Sequence, residues 1–282
     1  MQSDKLGTLY VVATPIGNLQ DITLRALEVL KQVDRIAAED TRHTNRLLSH
    51  FSIQKPILAL HDFNERKQIK TVVGYLQQGE SVALVSDAGT PLISDPGFSL
   101  LREVMACGIK VVPIPGACAA IAALSVGGLP TDKFVFEGFL PAKQKARRQR
   151  LQQLQTETRT MVFYEAPHRF IPALQAMVEI FGGDRIASVA RELTKIYESI
   201  STRRLQLLLS YFQAHQQEQR GEIVILVAGT DQVSSQFEAM SSKQVLEILL
   251  LELPLKQAVK LTSKMTGERK NALYKMALNA CK

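Results

Sequence analysis

No apolar run in the chain approaches the roughly 18 residues that span a bilayer, so no membrane-spanning helix is expected. The sequence passes from Met1-Gln2-Ser3-Asp4-Lys5 straight into strand-like residues, without the apolar stretch of a secretory signal. Cysteine is scarce. Cys107, Cys118 and Cys281 are odd in number, scattered and without metal-like spacing, so they read as reduced thiols of a cytoplasmic protein and no metal site is expected. Neither G-x-G-x-x-G nor G-x-x-x-x-G-K-[ST] occurs, which removes the dinucleotide fingerprint and the P-loop. Internal repeats and low-complexity segments are absent too.

What remains is a chain of 282 residues, 46% hydrophobic and 22% charged, long enough for two domains with cores of their own. Its net charge of +7 favours an anionic partner, and the placement of that charge says more than its sum. Lys143, Lys145, Arg147, Arg148 and Arg150 put five cations into eight residues with no acid among them. A solvated helix face normally interleaves Glu or Asp, so this run reads as a patch that contacts phosphates. A second excess lies at Lys256, Lys260, Lys264, Arg269, Lys270 and Lys275.

Along residues 8–127, short apolar runs alternate with amphipathic stretches. Strands are predicted at Leu9–Thr14, Arg35–Glu39, Ile57–Leu60, Ser81–Ser86 and Lys110–Ile114, and helices at Ile22–Lys31, Thr41–His50, Asn64–Gln78 and Pro96–Cys107, with a further one from Gly116. This βα repetition predicts an α/β fold with a mainly parallel sheet. Gly127-Gly128-Leu129-Pro130 breaks the pattern and marks a domain boundary, giving an N-terminal domain over 1–127. Strands at Lys133–Glu137, Thr160–Tyr164, Arg185–Arg191, Tyr197–Ser201 and Glu222–Val227 follow. The turn at Leu193-Thr194-Lys195 is too short for a crossover, so a mixed sheet is predicted for a second domain over 128–230. Residues 231–282 read as a Ser- and Gln-rich linker, Asp231–Ser242, and a tail of three short helices at Val245–Leu251, Pro254–Met265 and Glu268–Ala280. The last two resemble a helix-turn-helix pair, although any small helical hairpin has the same outline.

Chemistry is expected where strands deliver loops. Ser86-Asp87-Ala88-Gly89-Thr90-Pro91 ends a buried strand in small and turn-forming residues, suited to close backbone approach by a ligand. Ala13-Thr14-Pro15-Ile16-Gly17 and Pro113-Ile114-Pro115-Gly116-Ala117-Cys118-Ala119 have similar character; Cys118 at a helix start reads as a small packing residue rather than an activated thiol. Glu39-Asp40-Thr41-Arg42-His43 is the ionisable loop of the first half. Capping of the next helix accounts for Asp40 alone. Tyr164-Glu165-Ala166-Pro167-His168-Arg169 and Arg191-Glu192-Leu193-Thr194-Lys195 supply polar loops from the second half, which suggests a ligand held between the two.

Seven segments, TPIGNLQDIT, AEDTRHT, SDAGTPLISDPG, PGACAA, EGFLP, YEAPHR and RELTK, follow one another in an order that resembles the tetrapyrrole-methylase superfamily. That resemblance implies two α/β domains with S-adenosyl-L-methionine in the cleft between them, and a homodimer. It also implies cofactor contacts at Ile16, Gly17, Ala88, Gly89, Thr90, Ile93, Cys118, Ala119, Tyr164, Glu165 and Leu193. The usual G-x-G-P-G and G-D-P of tetrapyrrole-modifying members are altered here, the second to Gly89-Thr90-Pro91, which points away from a tetrapyrrole acceptor. The implied reaction is methylation of a cytidine ribose 2′-oxygen in the decoding region of 16S ribosomal RNA, free or in the small ribosomal subunit. Glu39 or Asp40 is expected to take the proton, with Asp62 and Glu165 in reserve, and Arg42 or His43 to position a phosphate. RNA contacts are expected at Arg42, Lys143, Lys145, Arg147, Arg148, Arg150, Arg269 and Lys270. Two other readings remain: a small-molecule methyltransferase of the same fold, and a non-catalytic RNA-binding assembly factor.

Overall fold

The computed structural model describes residues 6–61, 64–230 and 241–280. Asp62, Cys281 and all but the end of the expected linker lie outside them. Met1–Gly229 forms one compact unit and Thr230–Lys282 another.

The first unit opens with five parallel strands: β1 (Thr8–Val12), β2 (Arg35–Ala38), β3 (Ile57–Ala59), β4 (Val82–Val85) and β5 (Lys110–Ile114), in the spatial order β3-β2-β4-β1-β5. All four residues of β4 are buried, as expected of a strand covered on both faces. Helices α1 (Leu24–Gln32) and α2 (Thr41–His50) bury Val29, Leu30 and Leu48 on one face. Helices α3 (Glu65–Gln77) and α4 (Phe98–Ala106) bury Val72, Leu76, Leu100 and Val104 on the other. The chain therefore leaves the neighbouring strands β1 and β4 toward opposite faces, which opens a crevice at their carboxyl ends. Thr14 and Gly89 close its floor through a two-way backbone pair, at 2.9 and 3.1 Å.

The second sheet runs β6 (Phe134–Phe139), β7 (Thr160–Glu165), β10 (Ile223–Val227), β8 (Ile186–Arg191), β9 (Ser199–Arg204). Only β6 and β7 are parallel; the remaining pairs, including β8 with β9 across the 193–195 turn, are antiparallel. One face is covered by α6 (Gln144–Gln153), α7 (Pro167–Phe181) and α8 (Leu205–Ala214) around Phe163, Phe170 and Phe212. The other face receives α5 (Ala119–Val126), whose Ala120, Ala123 and Leu124 pack against Val162, Val224 and Leu226. A helix of such small residues lets the first half of the chain lie close on the second sheet. The two α/β layers thus match the predicted fold class.

Two expected boundaries are corrected. The helix expected from Gly116 starts at Ala119, because Gly116 is pressed on the end of β1, where an added Cβ would stand 2.9 Å from that of Ala13. The strand expected to end at Glu137 passes a register shift at Gly138, φ +64°, and continues to Phe139. Helices α6, α7 and α8 are not anticipated by the sequence pattern. Pro172 inside α7 interrupts the local helix signal that burial of its apolar face restores.

In the second unit, α9 (Ser242–Glu252), α10 (Leu255–Thr266) and α11 (Lys270–Ala280) pack around Leu246, Ala258, Val259, Leu273 and Ala277. A reciprocal capping box between Ser241 and Gln244 starts α9, and Gly267 at φ +72° ends α10. Lys256, Lys260, Lys264, Arg269, Lys270 and Lys275 are all exposed.

Candidate functional site

The crevice beyond β1, β4 and β5 faces the inner side of the second sheet and encloses a cavity of about 400 Å³. Ten of the eleven residues expected to touch a cofactor line it: Ile16, Ala88, Gly89, Thr90, Ile93, Cys118, Ala119, Tyr164, Glu165 and Leu193. Gly17 stands behind the wall. An added Cβ there would meet Lys195 Cγ at 2.5 Å and Thr194 Oγ1 at 2.9 Å, and the Asn18 amide donates to Thr194 Oγ1 at 3.1 Å. Its service is to let two loops touch.

The first-half wall is built of backbone held in uncommon geometry. Gly89 has φ +83°, and a Cβ added to it would lie 3.3 Å from Ile16. Leu92 and Ser94 hold φ of +74° and +73°; across the cavity Glu192 and Thr194 hold +51° and +65°. Such geometry in residues with side chains persists only where surrounding contacts enforce it, and two cavity loops carry four cases. The Thr90 hydroxyl donates to Ala117 O at 3.0 Å, tying the β4 and β5 loops together. Asp87 accepts the Asp40 amide at 2.9 Å and so braces the β2 loop.

Every ionisable carboxylate or amine in the lining is acidic: Glu39, Asp87, Asp95, Glu165 and Glu222, with no Lys, Arg or His among them. Burial pushes the Asp95 carboxyl up, and the Asp87 charge adds to the shift against a hydrogen bond with Ser86. Burial also pushes the Tyr164 phenol up, and its oxygen accepts the Ala120 amide at 3.2 Å. Glu165 is 3% exposed. Its Oε1 accepts the Ala166 amide at 2.9 Å and meets Arg169 at 2.8 Å. Burial raises its pKa against the Ala166 amide and the Arg169 and Arg147 charges.

The β2 loop separates its candidates. Glu39 lines the cavity, whereas Asp40, Arg42 and His43 do not. Asp40 caps α2 by accepting the Arg42 amide at 2.8 Å and pairs with the Arg42 side chain at 3.0 Å, which holds its pKa down to about 2. A carboxylate so engaged is a poor proton acceptor, and helix capping accounts for it fully. Arg42 and His43 are exposed on α2.

The basic run is not one solvated face. Lys143 and Lys145 are exposed at the start of α6. Arg148 pairs with Glu179 of α7, and Arg150 with Glu137 of β6 at 2.6 Å. Arg147 is turned inward, 6% exposed, on the same face of α6 as the buried Leu151. The acids that the run lacks are supplied by other elements of the fold.

Phe139, Ala166, Ala190, Ile223 and Val224 also line the cavity, and none of them is among the residues expected there. Phe139 packs edge-on to Tyr164, with ring centres 5.7 Å apart. Ala190 and Val224 lie within fully buried stretches of strand, where alternation gives no clue to the face. The EGFLP segment was the available signal for Phe139.

A parallel sheet and a mixed sheet closing on an acid-lined cavity define a two-layer α/β enzyme with its site in the cleft. Residues 8–208 match the family model of the Tetrapyrrole (Corrin/Porphyrin) Methylases, and the chain belongs to that family of methyltransferases. More narrowly, it is 55% identical over 274 residues to the Ribosomal RNA small subunit methyltransferase I of Pseudomonas aeruginosa, covering 96% of this chain and 97% of the relative. The Escherichia coli O157:H7 protein of the same name is 50% identical over 272 residues, covering 96% and 95%. Residues 239–281 match the family model of the RsmI C-terminal HTH domain. Among solved structures, the methyltransferase CobJ shares the fold with a TM-score of 0.60 at 20% identity, covering 79% of this chain and 95% of CobJ.

Proposed function

We propose that this chain transfers a methyl group from S-adenosyl-L-methionine to the 2′-oxygen of a cytidine ribose in the decoding region of 16S ribosomal RNA. The observation that carries the donor side is the cavity: about 400 Å³, within the range of small-ligand sites, cradled at Gly89 and lined only by acidic ionisable groups. A cationic sulfonium with an α-ammonium group suits that charge, and RNA phosphates do not. Ile16, Ala88, Gly89, Thr90, Ile93, Cys118, Ala119, Tyr164, Glu165 and Leu193 are the residues that would hold it. The names of the relatives support ribosomal RNA as the acceptor. The exposed cations at Lys143 and Lys145, and those of the tail, provide phosphate contacts outside the cavity.

When bound, the sulfonium supplies an activated methyl group, open to in-line displacement. The chain's own residues then have three tasks. The strained loops at 89–94 and 192–194 hold the walls rigid, so that reacting atoms meet at about 3 Å. The apolar faces of Ile16, Phe139 and Leu193 exclude water. A carboxylate must receive the hydroxyl proton, and with Asp40 engaged as a helix cap, Glu39 is the member of the β2 loop that meets the cavity. We place the protein in the cytoplasm, acting as a homodimer on 16S ribosomal RNA or the small subunit, and divide the first unit at Gly127-Gly128 into residues 1–127 and 128–230.

The test is to offer labelled S-adenosylmethionine with small ribosomal subunits, free 16S ribosomal RNA and a tetrapyrrole precursor in parallel, then map the modified nucleotide. Label on a cytidine ribose of the RNA is expected. Transfer to the tetrapyrrole alone identifies a small-molecule enzyme instead, and failure to bind S-adenosylmethionine in calorimetry leaves an RNA-binding assembly factor.

A further inference from the structure

Arg147 stands in the middle of the most basic stretch of the sequence, yet it does not face solvent. It projects from α6 toward the interior, where its Nη1 donates to Ala142 O at 3.5 Å and its Nε has no hydrogen-bond partner among the described residues. Arg169, from the first turn of α7, donates to Leu140 O at 3.3 Å and also leaves Nε unpartnered. The two arginines thus hold carbonyls two residues apart, and Glu165, at the end of β7, pairs with Arg169 and lies within reach of the Arg147 charge. One of its oxygens is taken by the Ala166 amide and Arg169, while Oε2 is buried and unpartnered, in a side chain that lines the cavity.

A buried carboxylate is costly unless compensated, and burial drives it toward the protonated form. Arg147 adds a second positive charge without touching the carboxylate. Arg169, at i+4, already makes the direct contact. The second charge, from a different helix, opposes the effect of burial while leaving one oxygen open to a ligand donor. We infer that Arg147 is a positioning residue of the cavity rather than an RNA contact: it acts through Glu165, whose open oxygen accepts a hydrogen bond from the cationic methyl donor. This rests on the donor reading given above. It also assigns the basic run two separate duties, with Lys143 and Lys145 facing outward and Arg147 inward.

The deciding experiment is a double-mutant cycle read by calorimetric binding of S-adenosylmethionine, with no turnover involved. Arg147→Met and Glu165→Gln are each expected to weaken binding about tenfold, the scale of one charge-assisted hydrogen bond. Arg147→Met added to Glu165→Gln is expected to weaken it no further, and Arg147→Lys, which keeps the charge, to stay within about threefold of the parent. The salt dependence of RNA binding is expected to be the same in Arg147→Met as in the parent. Unchanged S-adenosylmethionine affinity in Arg147→Met overturns the inference, as do additive losses in the double variant. A salt slope reduced by about 0.7–0.9 log unit overturns it too, because that is the signature of one fewer neutralised phosphate. Should Arg147→Met not fold, Arg147→Lys carries the same cycle, with a small loss expected alone and none in the Glu165→Gln background; additive losses there overturn the inference. No binding by the unaltered protein is a different failure, that of the donor reading itself.

Discussion

Inside the cavity the carboxylates are Glu39, Asp87, Asp95, Glu165 and Glu222, with no Lys, Arg or His in the lining, whereas Lys143 and Lys145 at the start of α6 are exposed. A protein of net charge +7 thus keeps an acidic interior site beside a basic surface. The contrast suits a reaction with two partners of opposite charge. On the proposed reading, a cationic donor would be favoured inside and a polyanion held outside, so that only its reacting group need enter. Arg147, cationic and buried, is absent from that cavity lining.

The strongest attempt to break this contrast is at Glu39. Glu39→Gln is expected to lower the single-turnover methylation rate by about a hundredfold, within the range of general-base contributions, with S-adenosylmethionine affinity nearly intact. A change of less than about threefold would remove Glu39 from the chemistry.

Gly89 tests whether backbone geometry sets the donor wall. Gly89→Val forces a β-branched residue to φ +83° against Ile16 and is expected to weaken S-adenosylmethionine binding by about tenfold or more. Gly128→Val, at φ +66° with open space around it, imposes the same kind of backbone strain away from the lining and should leave binding unchanged. Equal losses in both would mean that general destabilisation, not the cavity wall, is being measured.

The basic rim is probed by replacing Lys143 and Lys145 together with Ala. The salt slope of RNA binding should fall by about 0.7–0.9 log unit for each phosphate no longer neutralised, while donor affinity stays constant. An unchanged slope returns these lysines to an ordinary solvated helix face and shifts RNA recognition to the tail.

The smallest effect is expected at Asp40. Its pKa lies near 2, below the ordinary 3.8, so it stabilises the fold above about pH 4 and loses that contribution as pH falls toward 2. Thermal melts over that interval should show a shallower acid loss in Asp40→Asn than in the parent, with methylation at neutral pH within about threefold. A rate loss comparable to that of Glu39→Gln would make Asp40 part of the chemistry after all.

Much of the site was legible because parallel α/β sheets deliver their loops to one edge. Once β1, β4 and β5 are recognised as buried strands, the segments that follow them must converge. Ile16, Ala88, Gly89 and Cys118 come together for that reason. The strand interiors Ala190 and Val224 were not legible, since a continuous apolar run hides which face meets a ligand. Arg147 escapes a sequence reading for a related reason. Its place in a basic run suggests solvent, but its i+4 relation to Leu151 puts it on the buried face of α6, a face that exists only once α7 and the second sheet are packed there.

The strands and the order of the loops follow from local sequence, because hydrophobic periodicity and turn chemistry act over a few neighbouring residues. The net charge and the absence of nucleotide-binding fingerprints are read there as well. Which charges are partnered is set by the packed fold. Glu179 and Glu137 neutralise Arg148 and Arg150 from other elements, Asp40 turns back to cap its own helix, and Arg169 closes on Glu165 while Arg147 is buried on α6. Electrostatic partnership depends on distance and burial in three dimensions, neither of which is set by separation along the chain.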